Sequence, residues 1–169
     1  QEAEGAVSRL VSLQGTGDEE LAYNEKTSDD KSTWLVALNQ RVGQLSELLP
    51  TELPMMARTA LSITNPLFRF LEREIQIGSE LLNIVRDDLF QLKEMTAGNL
   101  KFTNVVRQIG EDLHNDFVPK RWQRYPMAPV NVTEWIVDFK MRLDQLSNLA
   151  SSSDYGKKGV WLGGFFYPE

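Results

Sequence analysis

A chain of 169 residues is one ordinary domain or two small ones. With 41% hydrophobic and 25% charged residues, and no apolar run near the ~18 residues of a membrane-spanning helix, the composition excludes a membrane-embedded or wholly disordered protein. Cysteine is absent, which excludes a disulfide framework and a thiolate zinc site. The formal charge of -6 sits mostly in residues 1–31, where eight acids face three bases. The near-neutral remainder offers no broad basic field for nucleic acid or a membrane surface, so neither is expected as a partner. The opening Gln1-Glu-Ala-Glu-Gly lacks the basic and apolar regions of a secretory signal, and the expected compartment is the cytosol.

Glu2 to Leu13 has the spacing of a short helix, with Ala3, Val7 and Leu10 on one side and Gly15 as its stop. Residues 15–32 are rich in Gly, Asp, Glu, Ser and Lys, which predicts a mobile acidic loop with too little apolar surface to order itself. From Trp34, the residues Leu35, Leu38, Val42, Leu45 and Leu49 recur at helical spacing until Pro50, and Met55 to Ile63 is expected to add a short helix.

Asn65-Pro66 is a cap followed by a proline suited to a first helical turn. Leu67, Leu71, Ile75, Gly78, Leu82, Val85, Leu89 and Leu92 follow at steps of three and four, predicting a rod from Pro66 to Ala97 of about 48 Å. Burying one stripe does not offset the ordering of so long an element, so the rod requires partners along it, the following segments being nearest. Gly98 is placed to turn the backbone around, and Phe102, Val106, Ile109, Leu113 and Phe117 predict the second arm of a helical hairpin. Pro119, Pro126 and Pro129 impose an irregular connector carrying Trp122 and Tyr125. Asn131 and Glu134 fit a capping box, so the Asn-Val-Thr triplet reads as a helix start rather than a glycosylation site. The helix they open should turn Trp135 or Ile136, Phe139, Leu143, Leu146 and Ala150 inward. After Ser151 follows an extended tail, Trp161-Leu-Gly-Gly-Phe-Phe-Tyr, whose aromatics would leave an exposed patch unless further sequence covers them.

The expected fold is therefore all-α: a long helix packed in a helical hairpin or irregular bundle, with a mobile acidic loop and an extended C-terminal tail. The divisions are 1–14, 15–32, 33–64, 65–150 and 151–169.

Little in this sequence promises catalysis. No Walker loop is present, and Gly156-Lys-Lys-Gly159 lacks its spacing and hydroxyl. His114 is the only histidine, no Gly-x-Ser-x-Gly elbow accompanies it, and it reads as a helix-surface residue. Glu72, Glu74, Glu80, Asp87 and Asp88 lack the Glu-x-x-His pattern of a di-metal bundle and, with Arg69, Arg73 and Arg86 nearby, read as a solvated face. Lys120-Arg-Trp-Gln-Arg-Tyr125 interleaves bases and aromatics as a single-strand nucleic-acid platform does, but aromatics between prolines read better as pins fastening a connector to a core. No catalytic, metal or cofactor residue is assigned. The residues expected to carry structure and interfaces are Leu67, Leu71, Ile75, Leu82, Val85, Leu89, Leu92, Trp122, Trp135 and Trp161.

The run Asn65-Pro-Leu-Phe-Arg-Phe-Leu-Glu-Arg-Glu-Ile-Gln-Ile-Gly, the pairing of Val118-Pro-Lys-Arg-Trp-Gln-Arg-Tyr-Pro126 with Trp135-Ile-Val-Asp-Phe-Lys-Met-Arg-Leu143, and Trp161-Leu-Gly-Gly-Phe-Phe-Tyr-Pro168 together resemble the cytoplasmic dynein heavy chain. The similarity is to the junction between its sixth AAA module and its C-terminal domain, with Phe165 where the family's Leu-Gly-Gly-Leu-Phe-x-Pro motif has leucine. The resemblance implies a non-catalytic piece of an ATP-driven, minus-end-directed microtubule motor. It implies ATP sites and microtubule contacts elsewhere in the parent, and partners in the AAA ring and a β-rich part beyond Glu169. The competing expectation is a helical adaptor that binds a partner helix through the long amphipathic stripe.

Overall fold

The computed structural model describes residues 33–128, 130–152 and 154–167. The helix and acidic loop expected before residue 33 lie outside the described residues. Two compact units divide the chain, Gln1–Ala37 and Leu38–Glu169. The described part of the first, residues 33–37, is helical. The second holds all the other described residues.

Four α-helices make up most of the regular structure, and no strand occurs among the described residues. Helix α1 spans 33–48, α2 Pro66–Thr96, α3 Asn104–His114 and α4 Val132–Ala150. None is long and apolar enough to cross a membrane. Helix α2, at 31 residues about 46 Å long, is the shared partner of α3, α4 and the connector. From Leu38 onward α1 buries Leu38, Val42 and Leu45, with Leu49 following. Thr96 of α2 donates to Asn39 and Arg86 to the Pro50 carbonyl, which sets α1 antiparallel to the end of the rod.

Each of α2, α3 and α4 starts where a side chain accepts an otherwise orphaned amide. Asn65 accepts from Leu67, Thr103 from Val106 and Asn131 from Glu134. Two helices end alike. Gly98 takes φ 81° while Asn99 N–H donates to Glu94 and Gly98 N–H to Met95; Asp116 takes φ 63° while Phe117 N–H donates to Asp112 and Asp116 N–H to Leu113. Both are Schellman closures, with a left-handed residue just past the cap. The second places Asp116 beside Arg41 in an ion pair.

The buried face of α2 is broader than a single seam. Beside the expected Leu71, Ile75, Gly78, Leu82, Val85, Leu89 and Leu92 lies a second line at seven-residue spacing, Glu74, Leu81, Asp88 and Met95, and Phe68 is buried too. Leu67 begins that second line, but in the first turn it is only partly covered, beside Gly156, and is 42% exposed, contrary to its expected place on the stripe. Other segments of the same molecule cover the rest of the stripe, so the rod does not depend on outside partners to bury it.

Three further expectations are corrected. Residues 55–61 form no helix, only a 3-10 turn at Ser62–Thr64. Thr59 N–H donates to Ser62 Oγ, Ser62 N–H to Thr59 Oγ1 and Thr64 Oγ1 to the Leu61 carbonyl, local bonds that compete with a helical ladder. Phe102 precedes the α3 cap and Phe117 follows its closing turn, leaving them 44% and 64% exposed, whereas Val106, Ile109 and Leu113 are buried. Finally, Glu74 and Asp88 are buried, not solvated.

Two glycines give predictions of opposite sign. Gly98→Ala forces a Cβ into the left-handed region and should cost about 1–2 kcal/mol in urea unfolding. Gly43→Ala, inside α1 with open space for a methyl group, should stabilise by about 1 kcal/mol.

Candidate functional site

Burying a carboxylate is costly unless donors meet it, and the two on α2 are met in different ways. Asp88 accepts from the indole N–H of Trp122 at 2.7 Å through one oxygen and faces the Arg121 guanidinium at 3.1 Å through the other. The connector supplies both partners, its 3-10 turn Lys120–Trp122 setting adjacent side chains on one carboxylate. Trp122 is fully buried and Tyr125 nearly so, which leaves no stacking platform in this segment.

Glu74 accepts two successive backbone amides of the tail, Phe166 N–H at 2.5 Å and Tyr167 N–H at 3.1 Å. Helix α4 holds the same segment from its other side. Arg142 donates to the carbonyls of Gly163 and Phe165 at 2.8 and 2.9 Å, and Gln145 both accepts from Trp161 N–H at 2.8 Å and donates to its carbonyl at 3.1 Å. Six backbone groups in seven residues thus find partners on three side chains. Asp138 fixes Arg142 by accepting from its Nε at 2.7 Å, and it also accepts from the Tyr125 hydroxyl at 3.1 Å. The guanidinium carbon lies 4.4 Å from the Tyr125 ring centre, a cation–π contact. Burial, with Asp138 beside it, pushes the Tyr125 phenol far above its ordinary range, so it stays a donor.

Aromatic rings join the two polar sites. Trp122 and Trp135 are 5.6 Å apart, Trp135 and Phe139 5.0 Å, and Tyr125 meets Phe166 edge-on at 5.2 Å. Phe165 packs edge-on against Phe70 at 5.0 Å. Gly78 makes the seat of Phe166 possible, since a Cβ there would stand 3.0 Å from its ring.

Of the residues singled out from sequence, Leu71, Ile75, Leu82, Val85, Leu89 and Leu92 are buried along α2, and Trp122 and Trp135 meet in the aromatic cluster. Trp161 is 44% exposed, its ring 5.3 Å from the Arg142 guanidinium carbon. Sequence reasoning missed Glu74, Asp88, Arg142 and Gln145. The signal was the seven-residue line, which carries Glu74 and Asp88 on α2 and sets Arg142 between Trp135 and Leu149 on α4. His114 stands exposed in the last turn of α3, and no group of three or more His, Cys, Asp or Glu among the described residues is placed to hold a metal ion.

The family model for the C-terminal domain of dynein heavy chains matches residues 1–169. The protein belongs to that family. Its relatives include proteins named "Dynein heavy chain, cytoplasmic" from Paramecium tetraurelia, 36% identical, and from Caenorhabditis elegans, 37% identical, each aligned over 96% of the present sequence. A protein of the same name from Dictyostelium discoideum is 39% identical over 78% of it. These alignments take in only 3–4% of the relatives' own length.

Within this dynein C-terminal segment, burial raises the Asp88 carboxyl above its ordinary range, against the opposing pull of the Trp122 hydrogen bond and the Arg121 charge. The folded state therefore binds this proton to higher pH than the unfolded state does. Between the ordinary carboxylate pKa of about 3.9 and the raised native value, the group's contribution to stability falls as pH rises. Asp88→Asn removes this titration. The stability of the native protein relative to that variant, from urea unfolding, should fall as pH rises from about 4 and then level off; a difference that grows with pH would refute the assignment.

Proposed function

We propose that the protein is a non-catalytic structural segment of a dynein heavy chain, bracing the AAA ring of an ATP-driven, minus-end-directed microtubule motor. The single supporting observation is the fixed rod: α2 is tied to the connector at Asp88 and to the tail at Glu74, and neighbouring helices of the same molecule cover its stripe. An element held at points far apart along its length moves as a body and so suits transmission of rigid shifts between neighbouring modules. Two large apolar side chains of α2 stay exposed, Leu67 in its first turn and Phe90 at 59% on a different side of the helix, as contacts for the rest of the heavy chain. Its partners are then the AAA ring and the β-rich part of the C-terminal domain. ATP is bound in the ring, and microtubules are reached only through the intact motor. The names of its relatives support a cytoplasmic place, and association with the cytoskeleton follows from the proposed motor.

The adaptor alternative needs a free apolar stripe for a partner helix, and on α2 that stripe is filled from within the molecule.

Substitution at Leu82 or Val85 would disrupt the segment's own core, so the test belongs on the exposed side chains. In the intact motor, Leu67→Asp with Phe90→Asp should lower microtubule-stimulated ATPase and gliding velocity at least severalfold. Unaltered turnover and velocity would refute the brace. The segment alone should release no phosphate from ATP.

A further inference from the structure

The tail is bound as a peptide ligand is bound. Residues 161–167 run through a 3-10 turn at Leu162–Gly164 between extended flanks, and no helix or sheet ladder holds them. Their backbone is read instead by Glu74, Arg142 and Gln145, side chains of two helices that they do not help to form. Only two of their side chains are buried large apolar groups, Phe165 and Phe166, while Trp161 and Leu162 are 44% and 67% exposed. The preceding stretch from Asp154 holds an exposed Lys157–Asp154 pair within itself and meets the rest of the molecule through a long Lys158 bond to the Asn148 carbonyl and beside Leu67 at Gly156; a Cβ at Gly159 would meet nothing. Arg142 would stay oriented by Asp138 and Tyr125 if the tail left, so its half of the site is built independently of the occupant.

We propose that the groove between α2 and α4 is a peptide-binding site with reversible occupancy: Trp161–Tyr167 fills it in cis, and the vacated groove takes the same Gly-Gly-aromatic-aromatic sequence in trans. Backbone readout sets the polar part of recognition without regard to sequence, and selectivity comes from shape. A Cβ on Gly164 would lie 2.9 Å from Gln145 Nε2 and run into the Trp161 ring, and the Phe166 ring needs the space left by Gly78. The ligand class is thus a peptide with a tight turn over its glycines ahead of two aromatics. This inference requires no other part of a heavy chain, and while the tail is out α2 keeps its tie at Asp88 but not the one at Glu74.

The probe is a fluorescent synthetic peptide, residues 160–167. In the 169-residue protein with Phe165→Ser and Phe166→Ser, which weaken the resident tail, anisotropy should show saturable binding at least tenfold tighter than to the unsubstituted protein. Adding Gly78→Leu, which fills the Phe166 seat, or placing Gly164→Val in the peptide should each weaken binding at least tenfold. Equal binding to substituted and unsubstituted protein, or indifference to both blocking changes, would overturn the proposal. Should the double variant fail to fold, native-state hydrogen exchange on the unsubstituted protein decides. The Trp161, Phe166 and Tyr167 amides should then open together and at least tenfold more often than those at the centre of α2. Opening of these amides only with the whole molecule would refute reversibility.

Discussion

Two carboxylates buried on one line of a long helix oblige the rest of the molecule to bring donors to them. Glu74 and Asp88 cannot be met by α2 itself, whose amides are committed to its own ladder. The donors come from irregular segments, an indole and a guanidinium from the connector and two backbone amides from the tail. The positions of those segments thus follow from the need to satisfy buried charge, and their aromatic packing completes the arrangement.

This division of labour explains how so much irregular backbone coexists with so well-filled a centre. Prolines rule out a helix between Val118 and Val130, and glycines weaken one between Gly156 and Gly164, yet backbone polar groups buried there still need partners. In the tail, side chains on α2 and α4 supply them; in the connector, the Val118 and Arg121 carbonyls accept from Gln123 and Arg124, and the Arg124 carbonyl accepts from the Tyr167 hydroxyl. Arg142 does the same for the tail's carbonyls that Glu74 does for its amides, so a cation on one helix and an anion on the other grip a strip of main chain between them.

The all-α architecture was legible in the sequence because periodicity and caps agreed for α2 and α4. Asn65-Pro66, Gly98 and Asn131 mark boundaries that the structure reproduces within a residue. The polar sites were not legible, since the alternation that defines one seam is silent about a flank. Glu74 and Asp88 look like ordinary surface acids until α2 is known to bury more than its central seam, which depends on segments distant in sequence arriving on both sides. Leu67 misled for the converse reason: it has the right chemistry on the flank line but sits in a first turn that is only partly covered. Phe102 and Phe117 kept the helical spacing past both ends of α3 because spacing alone does not register a cap or a left-handed residue.

Glu74 and Asp88 stand fourteen positions apart, about 21 Å along the axis. Each is hydrogen-bonded to a different piece of irregular backbone or its side chains. Axial sliding, or rotation like a screw in its thread, would strip both carboxylates of their donors at once. The helix is left with tilting or travelling in company with its connector and tail, and while both are docked neither its height along its own axis nor its phase about it can drift.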